Sequence, residues 1–293
     1  MTRHVVDVEV LGPWSLATSR EFWEQFSPAA LARRDGSELR TVFRVERDWS
    51  RAEVRVAQHD GSARLVLTGD GDLAVAADQV CRFLSLDTDA RAWPDVGHRD
   101  PVVADAQAQL PGLRPCGFHS PYEAAVWAVL SQRIRIAQAA RVREDLVARH
   151  GRDGALPAPA ALRALELDLP GRKTEYLHAV ADAALEGRLD GVALRALDPD
   201  DAVRSVQEVR GLGPFAAELV VLRGANAPDA LPQHERRLAD EVTLLYGPRR
   251  APAGVAQAWR PFRTWAAVLL RALRERRGQE PAAGAGVGVG VVR

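Results

Sequence analysis

Two glycines and an acid–histidine pair are the places in this chain where residue type and spacing bear on chemistry. In Val209-Arg210-Gly211-Leu212-Gly213-Pro214-Phe215 the glycines lack a Cβ, so nearby backbone N–H groups can approach a phosphate closely. Pro214 is pre-set for the first turn of a helix, whose positive N-terminal dipole favours the same anion. Such a surface grips a nucleic-acid backbone without reading its sequence. The same residues also serve as an ordinary connection between two helices of a bundle, and the glycine pair alone leaves both readings open. Further on, His234 and Glu235 stand at the expected start of another helix. A histidine there suits proton transfer near neutral pH, or it is a surface residue. Glu235 is a carboxylate placed for chemistry, or an acid that matches the helix dipole. Asp229 is a weaker candidate carboxylate and reads more simply as a turn former.

These residues need elements to hold them. Asp198 caps a helix with Pro199 at its first position, and Val203, Val206 and Val209 recur at helical spacing until the glycines stop it. The next helix carries Phe215, Leu219 and Leu222 and ends at Gly224, so the stretch contains a helix-hairpin-helix. Upstream, Ser120-Pro121-Tyr122-Glu123 reads as a capping box, followed by Trp127, Leu130 and Ile134 on one face. Further helices are expected near 136–149, 158–165, 173–186, 200–209, 214–223, 234–246 and 262–276. The first hundred residues differ. Segments 4–11, 39–46, 52–58 and 63–68 alternate apolar and polar residues, Asp60-Gly61 reads as a hairpin turn, and 19–26 and 74–86 read as helices. The expected fold class is a small antiparallel sheet with helices (α+β) over 1–104, an all-helical domain over 105–278, and a glycine-rich tail over 279–293 read as disordered. The N-terminal domain is read as scaffold.

Composition narrows the function classes. Lys+Arg and Asp+Glu both number 39 in 293 residues, so no global field attracts a polyanion. Residues 1–100 carry 13 Arg and 17 acids, leaving 26 basic and 22 acidic residues beyond them; net −4 is followed by net +4, which fits a nucleic-acid face on the later part. Cys81 and Cys116 are too few for a four-cysteine iron–sulfur or zinc site, and they are expected as packed thiols, with no metal site. The first residues lack the apolar core of a signal peptide and no run approaches membrane-span length, so a cytoplasmic monomer with no membrane partner is expected.

Four segments, in order, make the reading specific: GLRPCGFHSPYEAAVWAVLSQRIRIAQAARV, KTEYLHAVADAALEG, VRGLGPFAAELVVLRG with DALPQHERRL after it, and AWRPFRTWAAVLLRA. From about Asp105 to Leu273 the chain resembles the helix-hairpin-helix DNA glycosylases, and within them the 3-methyladenine DNA glycosylase II (alkylation-repair) subgroup. The resemblance implies base-excision repair on double-stranded DNA, in which a damaged purine is flipped out and its N-glycosidic bond hydrolysed.

It also implies roles. The family's catalytic aspartate, which stabilises the oxocarbenium ion, falls on Glu235, so this chain departs from the pattern by one methylene; His234 is its candidate assistant. Loss of the aspartate also leaves open a non-catalytic protein that binds distorted DNA, and a third class, a helical scaffold with no DNA role. Bifunctional members carry a lysine directly after the hairpin; here that position is Phe215, and the sole lysine, Lys173, lies on another helix, which implies a monofunctional enzyme. Arg210, Gly211, Leu212 and Gly213 would hold the DNA backbone. Gln132 and Arg133 match the loop that wedges a side chain into the duplex, with a solvated arginine as the plain alternative. Phe215, Tyr122 and Trp127 are base-pocket candidates; Trp259 and Trp265 are further aromatics, and each also fits as core. A position that often supplies a stacking tryptophan in the subgroup falls on Arg271. No cofactor is expected beyond a monovalent cation on the hairpin carbonyls near Val209 and Leu212.

Overall fold

The computed structural model describes residues 1–24 and 37–279. Strands β1 (Thr2–Glu9), β2 (Leu39–Arg44), β3 (Arg51–His59) and β4 (Ser62–Gly69) form one antiparallel sheet in the order β1-β4-β3-β2. Their alternation decides which face is buried: Ala63, Leu65 and Leu67 of β4 and Val54 and Val56 of β3 point inward, while Arg55 and Arg64 point out. Gly61, with φ +69°, makes the β3–β4 turn expected at Asp60-Gly61. Helices α1 (Leu16–Glu24) and α2 (Leu73–Phe83) cover the inner face through Leu16, Trp23, Val80 and Phe83. Cys81 and Cys116 are both free and buried, the packed thiols expected of them, and burial pushes each up to about 12.

The remainder is helical. In chain order come α3 (Trp93–Arg99), α4 (Pro101–Gln109), α5 (Pro121–Leu130), α6 (Ile136–His150), α7 (Pro159–Arg163), α8 (Lys173–Leu185), α9 (Gly191–Ala196), α10 (Pro199–Gln207), α11 (Pro214–Leu219), α12 (Arg236–Tyr246), α13 (Pro252–Val255) and α14 (Arg263–Gln279). α5 is apolar all round and is accordingly enclosed, with α8, α11 and a π-helical turn over Val220–Gly224 packed about it. A separate core joins Trp93, Val96, Val103 and Ala106 to Leu238, Val242, Trp259, Trp265 and Leu270. Residues 90–106 therefore pack with the C-terminal helices, across the boundary expected at 104. The tail from 280 onward, read above as disordered, lies outside the described residues, as do residues 25 and 26 of the helix expected over 19–26. Among the described residues no helix is long and apolar enough to cross a membrane, and no cluster of His, Cys, Asp and Glu suits a metal ion.

Buried polar groups weld the sheet to the helices. Ser120 Oγ caps α5 by accepting from the Glu123 amide at 3.2 Å. Glu123 does not complete the expected capping box: its Oε2 takes the His119 amide at 3.0 Å and lies 2.7 Å from His119 Nδ1, and its Oε1 takes Arg143 Nη2 at 2.6 Å. His119 Nε2 lies 2.9 Å from Thr41 Oγ1 of β2, and its ring stacks on Phe43. His119 and Arg143 hold the Glu123 carboxyl down at about 2 against the opposing pull of burial. Arg114 is also buried at this seam, where its guanidinium donates to the carbonyls of Leu11, Pro13, Ser85 and Thr88. The N-terminal domain thus fixes the start of α5, and through Arg143 it reaches α6, the helix that follows the Gln132-Arg133 loop.

Candidate active site

The hairpin is built as its residues dictate. Asp198 caps α10 by accepting from the Asp200 amide at 3.0 Å, and Val209 carries the chain off the helix end into the turn. Gly211 adopts φ +95°, open to glycine and strained for other residues. Leu212 turns inward and is buried, while Gly213 is exposed and serves as the N-cap residue of α11. The Leu212 amide donates to the Val209 carbonyl at 3.0 Å. The α10–α11 pair is then closed over Ala202, Val206, Val209, Ala216 and Ala217, which belong to the main helical core.

The structure brings several candidates onto this hairpin. Gln132 Nε2 donates to the Gly211 carbonyl at 2.7 Å, tying the loop after α5 to the turn. Arg133, next in that loop, is exposed with φ +57°, a left-handed backbone that points to a constrained loop rather than to a continuing helix. Arg210 pairs with Glu175 of α8 at 3.1 Å. Lys173 lies under the same loop, its Nζ donating to the Leu130 carbonyl at 2.6 Å at the C-terminal end of α5; burial lowers its pKa from the usual lysine value. That anchor makes Lys173 a support of the Arg133 loop.

The aromatic candidates separate. Phe215, in the first turn of α11, is 50% exposed. Tyr122 is 1% and Trp127 5% exposed; Tyr122 Oη donates to the Pro157 carbonyl at 2.8 Å and its ring meets Trp49 edge-on. As pocket-lining residues these two are corrected: α5 is enclosed on every side, so neither offers a face to a base. Trp259 and Trp265 are core, with Trp259 Nε1 donating to the buried Asp100 carboxylate at 2.8 Å.

Glu235 is the N-cap residue of α12, and its carboxylate accepts from the Arg237 amide at 3.0 Å. Its reach is thus partly used by a structural bond. Glu235 Oε1 also lies 3.3 Å from Arg271 Nη1 of α14, and the side chains are 26% and 16% exposed. The segment before it is fixed by a residue the sequence reading did not single out. Glu218, buried on α11, accepts from the amides of Gln233 and His234, both at 2.9 Å, and lies 2.7 Å from His234 Nδ1. The signal was present: a lone carboxylate in PFAAELVVL, on an otherwise apolar helix, requires partners if buried. His234 is therefore oriented by Glu218 and not by Glu235. Asp229 is a turn-forming ion-pair residue, taking Arg263 Nε at 2.8 Å and Arg260 Nη1 at 3.3 Å. The helix after the hairpin thus begins with a carboxylate whose preceding loop is anchored to the hairpin's own second helix.

Comparison with known proteins finds relatives of one kind. No protein-family model matches the chain. It is 23% identical over 207 residues to a Bacillus subtilis DNA-3-methyladenine glycosylase, covering 64% of this chain and 68% of that protein. It is 29% identical over 249 residues to a Mycobacterium tuberculosis probable bifunctional transcriptional activator/DNA repair enzyme AlkA, covering 80% of this chain and 49% of the relative. It is 30% identical over 176 residues to the Escherichia coli DNA-3-methyladenine glycosylase 2, covering 54% of this chain and 60% of the relative. The chain thus spans from 49% to 68% of the length of these relatives. Among solved structures, the 3-methyladenine DNA-glycosylase of Archaeoglobus fulgidus superposes with a TM-score of 0.72 at 16% identity, over 94% of this chain and all of that one. MBOgg1 in complex with a low-affinity DNA ligand superposes at 0.65 and 18%, over 95% and 100%. In sequence the chain is thus similar to DNA-3-methyladenine glycosylases, and in fold to solved DNA glycosylases.

Proposed function

We propose that the protein is a monofunctional DNA glycosylase that excises damaged purines, alkylated ones among them, from double-stranded DNA, acting as a monomer in the cytoplasm. The observation that carries this reading is the Glu235 carboxylate at the head of α12, coupled to the hairpin through Glu218. Gly211, Leu212, Gly213 and Arg210 hold the backbone, and Arg133 fills the gap left by the flipped nucleotide. The C1′–N9 bond breaks and its electron pair leaves with the base. The positive charge that develops on the sugar faces Glu235; water then adds to C1′ and gives up its proton to the carboxylate or to solvent. The only lysine is held on the Leu130 carbonyl, and Phe215 stands where a Schiff-base amine would be needed, so no lyase step follows. No cofactor enters this chemistry. The Val209 and Leu212 carbonyls suit a monovalent cation facing the phosphate: among the described residues Val209 accepts a single backbone bond, from Leu212, and Leu212 accepts none.

The direct test is incubation with methylated duplex DNA. Free base should appear, strands should break only after alkali, and borohydride should trap no protein–DNA adduct. Binding to the lesion without release would overturn the enzyme reading in favour of a non-catalytic damage-binding protein, a reading the Glu235–Arg271 ion pair makes worth testing. Glu218 gives a second prediction. Glu218→Gln keeps shape but replaces one acceptor oxygen by a donor facing the Gln233–His234 segment; kcat should fall about 10²-fold by misplacement of Glu235 while duplex affinity stays within about twofold. Equal loss in affinity and rate would reduce Glu218 to a purely structural residue.

A further inference from the structure

Arg271 has spare donors beside the proposed catalytic carboxylate. Its Nη2 donates to Glu275 Oε1 at 2.8 Å, while Nη1 stands 3.3 Å from Glu235 Oε1 without hydrogen-bond geometry. Both Nη1 and Nε are buried, and neither has a hydrogen-bond partner among the described residues. A buried donor without a protein partner gains a hydrogen bond from any acceptor brought within its reach. If Glu235 faces C1′, the group arriving next to it is the flipped base. Arg223 adds a second guanidinium to the surroundings: it is half-buried, donates to the Cys116 carbonyl at 2.8 Å, and is lowered from the usual arginine value by desolvation, with Arg271 pushing in the same direction.

We propose that Arg271 sets lesion specificity, favouring neutral purine lesions that present a hydrogen-bond acceptor on the ring edge over lesions with a fixed positive charge on the ring. The inference rests on the glycosylase reading of Glu235. A purine alkylated at a ring nitrogen is a cation before cleavage and leaves neutral, so a guanidinium beside it opposes its entry into the pocket and offers it no bond that strengthens as the base leaves. A neutral purine leaves with the electron pair of the C1′–N9 bond and becomes anionic. An N–H donor from Arg271 to its O6 or N7, the edge that arginine meets on guanine, strengthens as that charge grows. Glu235 keeps its own task on the sugar, since its charge is paired and not removed by Arg271.

The test compares single-turnover release, at enzyme concentrations below saturation so that capture of the lesion counts, of hypoxanthine, neutral with O6 and N7 acceptors, and of 7-methylguanine, cationic, from otherwise identical duplexes. Arg271→Leu should slow hypoxanthine release about 10²-fold and speed 7-methylguanine release about tenfold, so the ratio of the two rates moves about 10³-fold. Arg271→Lys, which keeps the charge without the planar fork, should lose hypoxanthine release without gaining on 7-methylguanine, and it guards against misfolding of the leucine variant. Rates that change in parallel, or not at all, overturn the proposal. If the natural chain releases neither base, the glycosylase reading fails and binding decides for Arg271: duplexes carrying 2′-fluoro forms of each lesion, which resist cleavage, should differ about tenfold in affinity in favour of hypoxanthine, and Arg271→Leu should abolish the difference. Equal affinities of the natural chain for the two would overturn it.

Discussion

Glu235→Gln releases base from methylated duplex DNA about 10³-fold more slowly than the natural chain, with duplex affinity within a few-fold; this is the expected result of single-turnover assays beside equilibrium binding. Removing one preorganised electrostatic group from a site of developing charge costs about 10²–10³ in rate. The variant is informative because the fold tolerates it: the glutamine Oε1 still accepts from the Arg237 amide, so the cap of α12 survives and loss of rate cannot be ascribed to a frayed helix. Glu235→Asp probes the other half of the question. Aspartate is the better N-cap residue, so the helix start should be no less stable, while the carboxylate retreats from Arg271 by about the ~1 Å that a methylene spans, a shift that alone changes rates by up to ~10²-fold. A faster aspartate variant means that the ion pair with Arg271 holds the natural enzyme back from cationic lesions. A slower one means that the longer side chain is matched to this pocket. Release by Glu235→Gln at the natural rate would remove Glu235 from the mechanism.

The sheet and most helices were legible because they follow periodicities that one chain reveals by itself: alternation in ARLVLT placed β4, and valines at helical spacing placed α10. The hairpin was legible from its glycines. The short α9 and α13 were not, since a helix of one or two turns shows too little periodicity; α3 and α4 blended into the N-terminal domain although their apolar sides join the C-terminal core. At the site, the position of Glu235 came from family spacing, but its neighbours came only from the fold. Glu218 and His234 are separated by a π-helical turn and a loop, and Arg271 meets Glu235 across two helices, so no local pattern marks either contact. Tyr122 and Trp127 illustrate the reverse error: an aromatic in an apolar helix looks like a pocket wall until the helix proves to be enclosed.

The two hairpin glycines should fail differently, and that difference isolates fold from DNA grip. A Cβ on Gly211 would lie 2.4 Å from Tyr176 Cγ and 2.6 Å from Tyr176 Cβ, at a φ of +95° that side chains rarely adopt. The backbone strain costs about 1–3 kcal/mol and the ring must also move, although Arg172 lies over its face. Gly211→Ala should therefore lose about 2–4 kcal/mol of stability in denaturant titration. It should also loosen the Gln132 bond to the Gly211 carbonyl and with it the Arg133 loop. Tyr176→Ala in the same chain should recover the part due to the clash but not the part due to φ, a double-mutant coupling that a general loss of packing would not produce. Gly213 is exposed, with ordinary φ and no atom within 4 Å of an added Cβ, so Gly213→Ala should change stability by less than about 0.5 kcal/mol. Its methyl nevertheless stands where a phosphate would approach the head of α11, and duplex affinity should fall about tenfold, most visibly at low salt. A Gly213→Ala protein that binds duplex DNA as tightly as the natural chain would place the phosphate elsewhere on this surface, and a Gly211→Ala protein of unchanged stability would mean that the turn relaxes away from Tyr176.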